Sequence, residues 1–339
     1  MGIRSIRLVL GLSLACLIQA TMQAEVVRVE ISARRDLAAG KGYGLAGPFE
    51  KLEGRLFFAV DPANSANRVS ADIDKAPRNV AGQVEFSADF FLIKPKRAER
   101  GNGTLLFEVS NRGGKGMISF FNRGARGGAN PESEADLGDG FLPRQGFTLL
   151  WVGWQFDPPR REGLMRDYPP IASDGGRPIR GLVRSDFVVA TRSFDQSLAD
   201  REHIYPTDIF PFTDTPQADP ETGISDGLLT HAGKPELLPK IFYTNSSYEY
   251  WGRAASLIHT TLDGQKDMPL PDDVRIYLFS GGQHGPAAFP PRQSIGRQRN
   301  NPNDYRWFMR SLLLAMNRWV SENASPPLCG QESCQQHYY

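Results

Sequence analysis

From residue 240 onward the chain alternates short strand, helix, strand, helix, and that order constrains the fold more than any other feature. Lys240-Ile241-Phe242-Tyr243 reads as a strand, and Tyr250 to Thr260 places Trp251, Ala254, Ala255 and Ile258 at the spacing of one helix face. Val274 to Phe279 is a second strand. Asn301-Pro302-Asn303-Asp304 opens a final helix whose expected buried stripe is Phe308, Met309, Leu312, Leu313, Met316 and Val320. Strands joined through a helical crossover run parallel, with right-handed connections. The expectation is the end of a doubly wound α/β sheet, in which active groups collect at the carboxyl ends of the strands.

The upstream half reads as strands. Val26 to Ser32 alternates, Leu56 to Val60 runs into the turn Asp61-Pro62-Ala63-Asn64, and Val84 to Phe91 continues into Leu92-Ile93. Leu105 to Val109 and Phe147 to Val152 are more continuously apolar, the pattern of central strands buried on both faces. Between about Ala190 and Lys240 the chain turns polar and Pro-rich, without apolar periodicity. Irregular loops beyond about 12–15 residues are uncommon in compact domains. This stretch is therefore expected to be a lid or to mark a place where a segment is missing. The expected organisation is a β-rich half over 25–189, the irregular segment 190–240, a βαβα part over 241–325 and a polar tail over 326–339.

Residues 1–24 carry Arg4 and Arg7, an apolar run from Leu8 to Ile18 and small residues at Ala20 and Ala24. The run is shorter than the roughly 20 residues a bilayer-spanning helix needs. The pattern is that of a signal peptide cleaved after Ala24, which predicts export to a periplasmic or extracellular compartment. Cys16 follows Ser13-Leu14-Ala15 and lacks the Leu expected three residues before a lipid-modified Cys. Lys plus Arg (39) nearly balances Asp plus Glu (38), so no global field recruits nucleic acid or an anionic membrane. No later apolar run predicts stable membrane insertion. Cys329 and Cys334 could close a small loop in an oxidising compartment, and their pairing stays open. The spacing at Asp136-Leu137-Gly138-Asp139-Gly140 is not that of a calcium loop, and no metal or cofactor is expected.

Two residues carry the candidate chemistry. Glu249 follows the strand ending at Tyr243, and His284 follows the strand ending at Phe279, in the turn Ser280-Gly281-Gly282-Gln283-His284-Gly285. Neighbouring strands would bring carboxylate and imidazole together. The carboxylate would then fix the tautomer of a His acting as general base. Each also has a bland reading, Glu249 as a helix-dipole residue and His284 as a solvated loop His. His203, His231, His259 and His337 lack that placement.

A third motif is the Gly-rich stretch Arg112-Gly113-Gly114-Lys115-Gly116, continued by Arg123-Gly124-Ala125-Arg126-Gly127-Gly128. It carries four cations and no acid. It has the look of single-stranded nucleic-acid binders, which export disfavours. The remaining readings are a source of backbone N–H groups for an oxyanion and a plain flexible loop.

The run Phe242–Leu257, with Tyr205-Pro206-Thr207-Asp208, Phe210-Pro211-Phe212-Thr213, Gln283-His284-Gly285 and Asn301-Pro302-Asn303-Asp304-Tyr305-Arg306, resembles a family of secreted and lipoprotein-like α/β-hydrolases. Upstream, Phe107–Gly113 and Trp151-Val152-Gly153-Trp154-Gln155 resemble it too. The resemblance spans nearly all of the chain after residue 24. It implies an ester hydrolase with His284 as base, Glu249 as orienting acid and a small-molecule substrate. It also implies a Ser nucleophile elbow, G-x-S-x-G, which this sequence lacks. The chain passes from Val188-Val189 almost directly to Arg192-Ser193-Phe194-Asp195-Gln196, so a segment on the order of 100 residues is expected to be missing near Ala190. Ser246, Ser247 and Ser280 lack the flanking glycines of an elbow. The expectation is thus an incomplete α/β-hydrolase-like sheet with impaired chemistry. The alternative is a non-catalytic small-molecule-binding protein that retains the pocket.

Overall fold

The computed structural model describes residues 25–125, 130–181, 210–211, 213–230, 238–252, 255–293 and 297–326. They fall into two compact units, Met1–Gly181 and Leu182–Tyr339. Residues 1–24, read as a signal peptide, the expected junction near Ala190, Cys329, Cys334, His203, His231 and His337 lie outside the described residues.

The first unit is built on three long strands, β1 (Glu25–Asp36), β2 (Phe49–Val60) and β3 (Val84–Pro95). β2 and β3 pair antiparallel along their whole length, from Phe49↔Pro95 to Val60↔Val84. β1 closes the other side of β2. β3 then pairs antiparallel with β5 (Thr148–Val152), and β5 pairs parallel with β4 (Leu105–Glu108). A short β6 (Asp167–Tyr168) also joins β3. The result is a six-stranded mixed sheet of order β1-β2-β3-β5-β4. Short helices at Gly116–Phe121, Glu134–Leu137 and Phe141–Arg144 fill the crossover between the two parallel strands. The register places Ile93, Phe91, Leu149 and Trp151 on one face, and all are buried, as are Met117, Ile118, Leu137 and Leu142 of the crossover.

The expectation of a central strand at 105–109 is overturned. β4 forms the edge of the sheet, with Leu105 and Phe107 each 52% exposed and Val109 64% exposed. Among the described residues no strand pairs with its outer side. A minor hairpin, β7 (Ser173–Asp174) with β8 (Arg177–Pro178), ends the described part of this unit.

The second unit holds a two-stranded hairpin, β9 (Gln217–Ala218) with β10 (Ser225–Asp226), and a separate parallel pair. That pair is β11 (Ile241–Ser246) with β12 (Val274–Phe279), in register from Ile241↔Val274 to Ser246↔Phe279. The hairpin belongs to the stretch read from sequence as irregular. It is tied down by Thr213 Oγ1 donating to the Ile258 carbonyl (3.0 Å), and by Tyr243 donating to Asp214 Oδ1 (2.7 Å). The helix expected over 250–260 is shorter: an α-helix covers Ser247–Gly252 and a 3-10 turn covers Ala255–Ile258.

The last helix runs Arg306–Glu322, starting later than Asn301 because the Asn-Pro-Asn-Asp segment is engaged elsewhere. Its expected stripe is also corrected. Phe308 and Val320 are each 63% exposed, whereas Arg306, Arg310 and Trp319 are buried. A two-stranded sheet covers only a narrow strip of a helix, and that strip centres on Trp319, stacked on Phe242 at 5.6 Å. Arg306 is accommodated by its fork on Asp304, at 2.5 and 2.7 Å.

Candidate active site

Parallel pairing of β11 and β12 puts Ser246 and Phe279 side by side at the carboxyl end of both strands. The backbone leaves β11 directly into the Ser247–Gly252 helix. The Ser246 hydroxyl accepts the Tyr248 amide at 3.2 Å and donates to Glu249 Oε2, while Glu249 Oε2 accepts the Ser246 amide at 3.1 Å. This is a variant of the capping box: the hydroxyl takes the second helical amide instead of the third, and the carboxylate satisfies the cap's own amide in return. Glu249 therefore holds one carboxylate oxygen on its own helix start and leaves the other, Oε1, to project.

Oε1 meets His284 Nδ1 at 2.5 Å. The two residues that the sequence singles out are thus brought together, one from the helix after β11 and one from the loop after β12. Burial alone would push the Glu249 carboxyl up. The hydrogen bonds from the Ser246 hydroxyl, His284 and the Ser246 amide outweigh that and hold it below the ordinary range, so it stays an acceptor. The His284 side chain is 81% exposed and the Glu249 side chain 25%. Tyr248 lies beside the imidazole, ring centroids 5.6 Å apart. Among the described residues no group hydrogen-bonds Nε2, the atom that a general base presents to its substrate.

The loop carrying His284 is itself anchored. Gly281 has φ +71°, and its amide donates to Ser247 Oγ at 2.8 Å. Asn301 Nδ2 donates to the Gly281 carbonyl at 2.6 Å, and Asn303 Nδ2 to the Ser280 carbonyl at 3.2 Å. The Tyr305 hydroxyl lies 2.7 Å from the His284 carbonyl and 3.1 Å from that of Gln283.

These contacts engage two of the three serines that sequence left open. Ser246 is 3% exposed and occupied with Glu249, and Ser247 accepts from Gly281. Sequence reading passed over Ser246 as a positioner, although Ser246-Ser247-Tyr248-Glu249 spells the S-x-x-E cap signature. His259 stands apart, its ring stacked on Tyr250 at 5.7 Å.

Several amides of the Gly-rich loop of the first unit are taken up within the chain. Glu108 accepts the Gly116 and Met117 amides, both at 2.9 Å, and the Trp151 indole N–H. The Arg112 amide donates to Gln155 Oε1 at 3.0 Å, and the Gly114 amide to the Asn111 carbonyl at 3.2 Å. A carboxylate of the chain thus takes up the Gly116 and Met117 amides. Arg112 pairs with Asp157 at 2.5 Å, and Lys115 is buried, donating to the Gly163 carbonyl at 2.6 Å. Residues 126–129 of the Arg/Gly stretch lie outside the described residues.

Among the described residues no group of three His, Cys, Asp or Glu side chains is placed to hold a metal ion. Nor is any helix there long and apolar enough to cross a membrane. No protein-family model, curated protein or solved structure matches this chain.

Proposed function

We propose that this chain is an exported protein of the α/β-hydrolase kind, an ester hydrolase by ancestry, that keeps the acid–His half of a triad without a Ser nucleophile. The observation that supports this reading is the 2.5 Å contact of Glu249 with His284 Nδ1, at the carboxyl ends of two adjacent parallel strands. A carboxylate on Nδ1 holds the proton there and directs the Nε2 lone pair outward, and it stabilises the imidazolium that forms when Nε2 takes a proton. An Nε2 with no hydrogen-bond partner among the described residues, and the engaged Ser246 and Ser247, favour impaired turnover. They equally suit a second reading, a non-catalytic small-molecule-binding protein on the same scaffold.

The test uses the chain beginning at Glu25, with a serine-reactive fluorophosphonate and p-nitrophenyl acetate. The expected result is no covalent labelling, together with slow ester turnover that His284→Gln abolishes. Labelling that depends on His284 would reveal a working serine and refute the missing-nucleophile reading. Ester turnover unchanged by His284→Gln would remove the dyad from the chemistry. Export is checked separately, by N-terminal sequencing of the processed protein, expected to start near Glu25.

A further inference from the structure

The string Asn301-Pro302-Asn303-Asp304-Tyr305-Arg306 lies 17 or more residues beyond His284 in sequence, yet most of its polar groups turn back onto the His loop. Asn301 holds the Gly281 carbonyl and accepts, through Oδ1, the Asn303 amide at 3.0 Å. Its own amide donates to Gln283 Oε1 at 3.2 Å. Asn303 holds the Ser280 carbonyl. Tyr305 does more than add another bond. Its ring stacks on Phe279, the last residue of β12, with centroids 5.1 Å apart and planes 10° apart. Its hydroxyl reaches the carbonyl of His284 itself.

Between Tyr305 and Ser246 the chain at Gly282 has no room for a side chain. A Cβ on Gly282 would stand 3.1 Å from Ser246 Cβ, 3.4 Å from Tyr305 Cδ1 and 2.9 Å from the Phe279 carbonyl oxygen. The His loop is thus wedged between the Tyr305 ring on one side and Ser246, the residue that fixes Glu249, on the other. Tyr305 is buried, with 6% of its surface exposed. Burial, and next the Glu249 charge, push its phenol up to about 12, so the hydroxyl keeps its proton as a donor.

We infer that Tyr305 is the positioning residue of the dyad: its ring and hydroxyl set the separation between His284 and Glu249. Tyr305 does not touch a substrate. It acts through the imidazole, by fixing the backbone from which the ring projects. This inference rests on the dyad reading, and its test separates the two.

The experiment reads the tautomer of His284 by long-range ¹H–¹⁵N NMR of the ¹⁵N-histidine-labelled chain beginning at Glu25. The measurement is made at about pH 8, above the ordinary imidazole pKa of ~6.5. The five His of the sequence are sorted by comparison with His284→Gln. In the wild type His284 is expected as the Nδ1–H tautomer, and Glu249→Gln is expected to release it. Tyr305→Phe keeps the ring and removes the hydroxyl. It is expected to lower the Nδ1–H to Nε2–H ratio about tenfold, the equilibrium equivalent of one typical hydrogen bond, while the melting temperature changes little. Asn301→Ala, a surface change, provides the same reading if Tyr305→Phe does not fold, and is expected to shift the ratio in the same direction. A wild-type ratio preserved in the folded Tyr305→Phe variant would overturn the assignment of Tyr305 and leave the dyad standing. A wild-type His284 not held as Nδ1–H would overturn the dyad, and the inference with it.

Discussion

Replacing Ser246 with alanine removes one hydroxyl that serves two bonds, and the two respond differently to acid. The first is the helix cap, in which Oγ accepts the Tyr248 amide. Loss of such a cap to alanine costs about 1 kcal/mol. The second is the bond to the ionised Glu249 carboxylate. Hydrogen bonds to charged groups contribute about 1.5–3 kcal/mol. Glu249 retains the Ser246 amide and His284 as partners, and a quarter of its side chain meets solvent. The lower end of the range therefore applies, and the total comes to about 2–3 kcal/mol at neutral pH. The cap does not depend on ionisation, but the second bond does. Glu249 has a folded pKa below its unfolded value. Its contribution is complete above the unfolded pKa of ~4.3 and is lost as pH falls through the lower folded value. The gap between wild type and Ser246→Ala should therefore contract from its neutral-pH size toward about 1 kcal/mol at an acid pH that protonates Glu249 in the folded chain. Urea unfolding at both pH values measures it, with hydrogen–deuterium exchange of peptides covering β11 assigning the transition to the second unit. A gap of equal size at both pH values, or none at neutral pH, would refute the two-part account.

Glu108→Ala should destabilise the first unit by about 2–4 kcal/mol in thermal or urea unfolding, because it strips an acceptor from two helix-start amides and from the indole of the fully buried Trp151. Lys115 is 4% exposed, and burial brings its pKa down from 10.5 to about 8, against the raising influence of Glu53, Glu108 and Asp89. The unfolded chain binds more protons than the folded one between those values, so wild-type stability should rise from about pH 8 to about pH 10.5, and a pH series of melts should show Lys115→Met flattening that rise.

Strand identity was legible because alternation and apolar runs are local properties. Strand position was not. Leu105 to Val109 has the composition of a buried strand, yet β4 stands at the edge, since burial depends on what pairs with it and composition cannot report a neighbour. The same limit explains the last helix. Phe308 and Val320 fit an apolar stripe by spacing, but the parallel pair beneath is only two strands wide, and Trp319 takes the contact with Phe242. Glu249 and His284 were legible from their places after consecutive strands. The roles of Ser246 and Tyr305 were harder to read. The first was hidden by treating serines only as nucleophiles. The second depends on a return of the chain that no local pattern announces.

The capping box has a consequence for how the second unit assembles. Glu249 is fixed by a residue three positions away, whereas His284 arrives from 35 positions downstream. The acid is set by local chain geometry, and the imidazole by distant parts of the chain, the alignment of β12 against β11 and the return of Asn301, Asn303 and Tyr305 onto its loop. A slip of one residue in that pair would carry the His loop about 3.3 Å along the strand axis, more than the whole 2.5 Å separation of Oε1 from Nδ1. The Glu249–His284 contact is in effect a caliper closed on strand register: a signal from it reports that Ser246 lies opposite Phe279, and losing it is the first symptom of a misaligned sheet.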